Sequence, residues 1–225
     1  MNGTKFLRLL LPAALAFGAA LFFCGCPLKV TINLDKNDNK SIYFSSSLGT
    51  AFLENLDKLQ QVPGQDGGSS DNLERISKKI QTELNQSFFK NASVRFDKNI
   101  LTASTQVNSQ KTLPKDFLGI NKSSSGDEFY VALNPQSLAA AILQENTTAK
   151  TLADILMAPI ISGEQMSLFE YKDLLTEIYG APLASELLSG DLTIEYIRNG
   201  KKQVQRVPVS DLLLAANGKR FVFKY

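Results

Sequence analysis

The chain has 225 residues, 44% of them hydrophobic, with 24 basic residues against 22 acidic ones, two cysteines, no histidine and no tryptophan. That length can bury a sizeable core, and a net charge of +2 supplies no global attraction to nucleic acid, which is not expected as a partner. The absence of histidine excludes Ser-His-Asp and Cys-His catalysis and imidazole metal sites, which depend on a group titrating near neutrality.

Lys5 and Arg8 lead into an apolar stretch from Leu9 to Phe23, interrupted by Pro12 and Gly18. Fifteen helical residues rise about 22 Å, short of the roughly 30 Å hydrocarbon core of a bilayer. A basic start, a short apolar centre and small residues at its end describe a secretory signal peptide over residues 1–25. A short or tilted transmembrane helix is the alternative. Cys24 and Cys26 close this stretch. They cannot complete a tetrahedral metal site, because the chain has no other cysteine and no histidine, and a bridge between residues two apart would be a strained ring.

Phe23-Cys24-Gly25-Cys26 resembles the lipobox of bacterial lipoproteins, in which a small residue precedes an obligatory cysteine. The resemblance implies signal cleavage between Gly25 and Cys26, and a diacylglycerol thioether plus an N-acyl chain such as palmitate on Cys26. No further cofactor and no metal are expected. It also implies residence in the bacterial cell envelope, on its periplasmic or surface face, with the membrane as a partner through the lipid. Cys24 does not fit the part, because bulky Phe23 stands at its small position; most lipoboxes carry Leu where Phe23 stands. Loss of Lys5 and Arg8 with the signal leaves basic and acidic residues in balance.

After Pro27, Leu28, Val30, Ile32 and Leu34 alternate with Lys29, Thr31, Asn33 and Asp35, the period of a half-buried strand. Two free residues give only about 7 Å of slack at 3.3–3.6 Å each, so the domain is expected to sit against the membrane. SIYFSSS answers that strand across DKNDNK, predicting a hairpin over residues 28–46. Asp35, Asn37 and Asn39 match the first positions of a calcium loop, but Lys40 and Ser46 stand where it needs Gly and Glu; the loop reads as a turn. The stretch LKVTINLDKNDNKSIYFSSSLG is similar to the start of LppM-type lipoprotein domains, which implies a strand-rich domain with lipid recognition as its expected role.

Phe52, Leu53, Leu56 and Leu59 then recur at helical spacing, and VPGQDGGSS ends that segment. Asp71 and Glu74 form a capping-box pattern for a second helix, with Leu73, Ile76, Ile80, Leu84 and Phe88 on one face. Its other face carries Arg75, Lys78 and Lys79, either a solvated face or a contact for anionic headgroups. Residues 92–108 predict a strand pair about Asp97-Lys98-Asn99, LPKDFLGINKSSSG a loop, and DEFYVAL a strand. Two helical stretches follow, PQSLAAAILQ and TLADILM. The run from Ile155 to Ile161 is apolar all round; it is either core or, through Ile155, Met157, Ile160 and Ile161, a lip meeting a partner or acyl chain. Ser167 and Glu170 cap a helix ending at Gly180, and APLASELLSG adds a short one. Asn199-Gly200 marks a type I′ hairpin, SDLLLAANG a helix, and KRFVFKY a last strand with Phe221, Phe223 and Tyr225 on one face.

This order predicts an α+β fold, an antiparallel sheet with several helices packed on one side, forming one domain over residues 26–225 with a possible lobe boundary near 160. No P-loop, dinucleotide fingerprint or nucleophile motif occurs, and acids such as Asp57, Asp66, Asp71, Glu74, Asp173 and Glu177 are spread among lysines. The expected role is a non-catalytic binding or assembly module close to the membrane, with an envelope protein as partner. A lipid-binding module is one alternative. A carboxylate-based envelope hydrolase is another, and two buried acids with raised pKa values in one cleft would favour it.

Overall fold

The computed structural model describes residues 27–35, 40–54, 89–107, 118–121, 128–133, 166–215 and 218–224, together with Glu74, Ser77, Lys78, Gln81, Thr82, Leu84 and Asn85. Nine strands are seen among them: β1 (Leu28–Leu34), β2 (Lys40–Ser47), β3 (Phe89–Asp97), β4 (Ile100–Val107), β5 (Leu118–Asn121), β6 (Glu128–Leu133), β7 (Asp191–Arg198), β8 (Lys201–Pro208) and β9 (Lys219–Lys224). Helices α1 (Leu168–Tyr179), α2 (Ala181–Ser189) and α3 (Val209–Leu213) lie around the β7–β8 hairpin in the chain. Residues 50–54 and the described positions from 74 to 85 are also helical.

Six strands form one sheet in the order β3-β4-β2-β1-β7-β8, and three form a second in the order β5-β6-β9. β1 is central. It pairs antiparallel with β2, from Leu28 opposite Ser46 to Leu34 opposite Lys40, and parallel with β7, from Leu28 beside Leu192 to Leu34 beside Arg198. The expected fold class is therefore corrected. The large sheet is mixed rather than antiparallel, and strand exceeds helix by 54% to 33% among the described residues, so the fold is not one sheet with several helices on it. A parallel neighbour more than 160 residues away leaves no mark on the local alternation of β1. The two stretches PQSLAAAILQ and TLADILM, and the lobe boundary near 160, lie outside the described residues. A second correction concerns LPKDFLGINKSSSG, read as a loop, of which Leu118–Asn121 is strand β5 paired with β6; four residues are too few to show a period.

The apolar face of β1 carries the core. Leu28, Ile32, Ile42, Leu101, Ala103, Leu192, Ile194 and Tyr196 from the large sheet pack with Phe129, Phe221 and Phe223 from the small one. Phe129 stacks on Tyr196 at 4.8 Å between ring centroids, and Tyr196 stacks on Phe223 at 5.4 Å, joining the sheets through aromatic contacts. Leu84 reaches the same core from the helical positions before β3.

A second, smaller core gathers Tyr171 and Leu175 of α1, Leu183, Ala184 and Leu187 of α2, and Val209 and Leu213 of α3. Ser167 and Glu170 make the predicted capping box at the start of α1. Gly180, at φ 82°, ends α1 with its N–H donated to the Thr176 carbonyl, and a proline in the first turn opens α2 without loss of a needed donor.

Candidate functional site at the Leu28 end of the sheet

The strand registers gather several chain segments around the first residue of β1. Leu28 lies beside Ser46 at the end of β2 and Leu192 at the start of β7. Leu192 faces Val207 near the end of β8, and Ser47 faces Ile100 at the start of β4. The helical residues 50–54 leave β2 here, α2 delivers the chain to β7 through Gly190, and α3 leaves β8, where Val209 N–H bonds the Gly190 carbonyl at 2.9 Å. The smaller core thus caps the end of the large sheet at which Leu28 begins β1. Leu28 itself is 2% exposed.

Glu186 of α2 fastens this cap to β2. Its carboxylate accepts the Ala51 and Phe52 N–H groups, each at 2.9 Å, serving as the N-terminal cap of that helical turn from 135 and 134 residues away in sequence. A Cβ at Gly49 would overlap the Glu186 carboxylate, so a larger residue there would displace that side chain from its cap.

On the outer face of the large sheet, Glu195 of β7 is buried between lysines. It meets Lys202 Nζ at 2.5 Å and Lys29 Nζ at 3.1 Å, and accepts the Thr31 hydroxyl at 3.3 Å. The Lys202 hydrogen bond, reinforced by Lys29 against the effect of desolvation, holds the Glu195 carboxyl below the usual range. This charge knot links β1, β7 and β8.

The expected site residues are placed unevenly. Gly25, Cys26, Arg75, Lys79, Ile155, Met157, Ile160 and Ile161 lie outside the described residues, as do Asp57, Asp66 and Asp71. Lys78 is exposed and tied to Glu74 at 2.7 Å one helical turn away. Asp173 and Glu177 are exposed on α1. Among the described residues, the carboxylates with displaced titration are Glu74, Glu170 and Glu195, and all three move down. No cluster of three metal-ligating side chains occurs among the described residues, and no helix among them is long and apolar enough to cross a membrane.

Three features had no signal in the sequence: the Glu195 knot, the Glu186 cap and the exposure of Leu168 and Phe169 at the start of α1, at 51% and 73%. Each depends on partners, or their absence, far along the chain. Capping chemistry marked the start of α1 but not its surface. No protein-family model, curated protein or solved structure matches this chain.

Proposed function

We propose that the chain is a bacterial lipoprotein, acylated on Cys26, whose domain is a non-catalytic binding or assembly module held against the bilayer, with an envelope protein as its partner. One observation carries this reading. Leu28, two residues beyond Cys26, is already buried in the central strand of the sheet, so the lipid and the folded domain are separated by Pro27 alone. A lipid on Cys26 thereby brings the domain to the headgroups with about 7 Å of slack.

Recognition at the surface is favoured over enclosure of an acyl chain, because the facing sheets meet through their own side chains, Phe129, Tyr196 and Phe223. The lowered pKa values of the displaced carboxylates favour charge pairing over the raised values expected of a general acid. The test is acylation in a bacterial host supplied with labelled palmitate. Wild type is expected to take up label and enter the detergent phase of Triton X-114, and Cys26→Ser to do neither. Unchanged partitioning of Cys26→Ser would sink the lipobox reading.

A further inference from the structure

Large apolar side chains are exposed at two places near the Leu28 end. Ile100 is 43% exposed beside the exposed Lys98 in the β3–β4 turn. Leu168 and Phe169 open α1 at 51% and 73% exposure, with the exposed Lys172 in the next turn. The topology locates both. Asp97 pairs with Ile100, and Ile100 with Ser47, one step beyond the pairing of Ser46 with Leu28. α1 ends at Gly180 and shares one core with α2, through Tyr171 and Leu175 with Leu183, Ala184 and Leu187. Met166, two residues before α1, packs against this same core, as do Ala51 and Phe52 where the chain leaves β2, so the start of α1 adjoins the cap at the Leu28 end.

Resting on the anchor at Cys26 proposed above, we propose that Leu168, Phe169 and Ile100 are bilayer contacts, seating the Leu28 end of the domain in the headgroup–acyl boundary. The occupant follows from where the chain enters. Pro27 and Cys26 leave only about 7 Å between Leu28 and the lipid, so a bilayer is within reach of this end whenever the anchor is inserted. Apolar side chains flanked by lysines match that boundary, where rings and aliphatic groups enter the acyl region and ammonium groups stay among phosphates. The β7–β8 turn is the internal reference. It lies past Leu34 at the other end of β1, about 20 Å away at 3.3 Å per residue.

The experiment uses the full chain, processed and acylated in a bacterial host, with single cysteines introduced as Ile100→Cys, Phe169→Cys or Lys201→Cys. Cys24 leaves with the signal and Cys26 is acylated, so only the new thiol takes an NBD label. The labelled protein is floated with phosphatidylethanolamine–phosphatidylglycerol vesicles carrying nitroxide lipids. Labels at 100 and 169 are expected to be quenched at least about twofold more than the label at 201, consistent with interfacial depth. Flotation with either label no more quenched than 201 overturns the seating and leaves the anchor intact, pointing to a protein that covers this surface. Failure to take up acyl label or to float overturns the anchor, and the seating with it.

Discussion

Glu195 is a charged residue with only 10% of its side chain exposed, while its two lysine partners keep about half of theirs in water, at 50% and 49%. A carboxylate so placed is held ionised by its neighbours, and the lowered pKa makes it a source of stability with a defined pH range. Because the folded value lies below the unfolded one, near 4.3, the contribution is full above about pH 5 and is lost as pH falls through the folded value. Glu195→Gln keeps the size of the side chain and removes both ion pairs. The lysines can rehydrate, so the expected loss at neutral pH is about 1–2 kcal/mol, below the 3–5 kcal/mol of a fully buried pair. Urea unfolding of both proteins across pH should show that gap closing in acid. A gap of constant size would assign the effect to packing. The strand DLTIEYIR carries no local mark of this pairing, because Lys29 arrives from β1, far away in the chain.

Strand edges show how side chains finish what the backbone leaves open. β3 and β8 are the edges of the large sheet, and β9 is one edge of the small one. The register of β3 shifts between Lys90 and Ser93, with Asn91 at φ 56°. There Asn85 accepts the Ala92 N–H at 2.9 Å and Gln81 that of Val94 at 3.4 Å. At β9, Gln203 and Gln205 of β8 donate their amides to the Lys224 and Val222 carbonyls. Each device occupies groups that would otherwise be free to template another strand. Replacing both glutamines, as Gln203→Ala with Gln205→Ala, is expected to weaken folding by about 1–2 kcal/mol and to produce concentration-dependent association in sedimentation velocity. A variant that stays monomeric would show that the amides do not guard the edge. Elements with local chemistry were legible in the sequence. Asn199 and Gly200 adopt φ 51° and 76°, as the two-residue hairpin requires, and the Ser167–Glu170 box forms as expected. The β1–β7 pairing and the four-residue β5 were not legible, because one is set by tertiary contact and the other is too short to display a period.

For the molecule as a whole, the position of β1 decides what an anchor on Cys26 can do. A strand at a sheet edge frays, but β1 is hydrogen-bonded on both sides, to β2 and to β7, and its apolar residues belong to the main core. Under the proposed anchoring, a constraint applied at Cys26 would act on the centre of the domain, and orientation at the membrane would be coupled to the sheet rather than diffused through a tether. Lengthening the connection separates these effects. A flexible Gly/Ser segment of about 15 residues inserted between Pro27 and Leu28 has an r.m.s. span of about 20 Å, comparable to the length of β1 and several times the native slack. It leaves Phe23 to Cys26 and every strand pairing of β1 in place, so the proposed acylation and the unfolding free energy are expected to be unchanged. The readout is photocrosslinking in the native envelope, with the crosslinker at the exposed Lys201 at the β7–β8 turn, away from the end proposed to meet the bilayer. The crosslinks made by the wild type are expected to be lost or redistributed with the long linker. If the same crosslinks persist at the same yield, closeness to the bilayer is not what positions the partner, and recognition must be set by the domain surface alone.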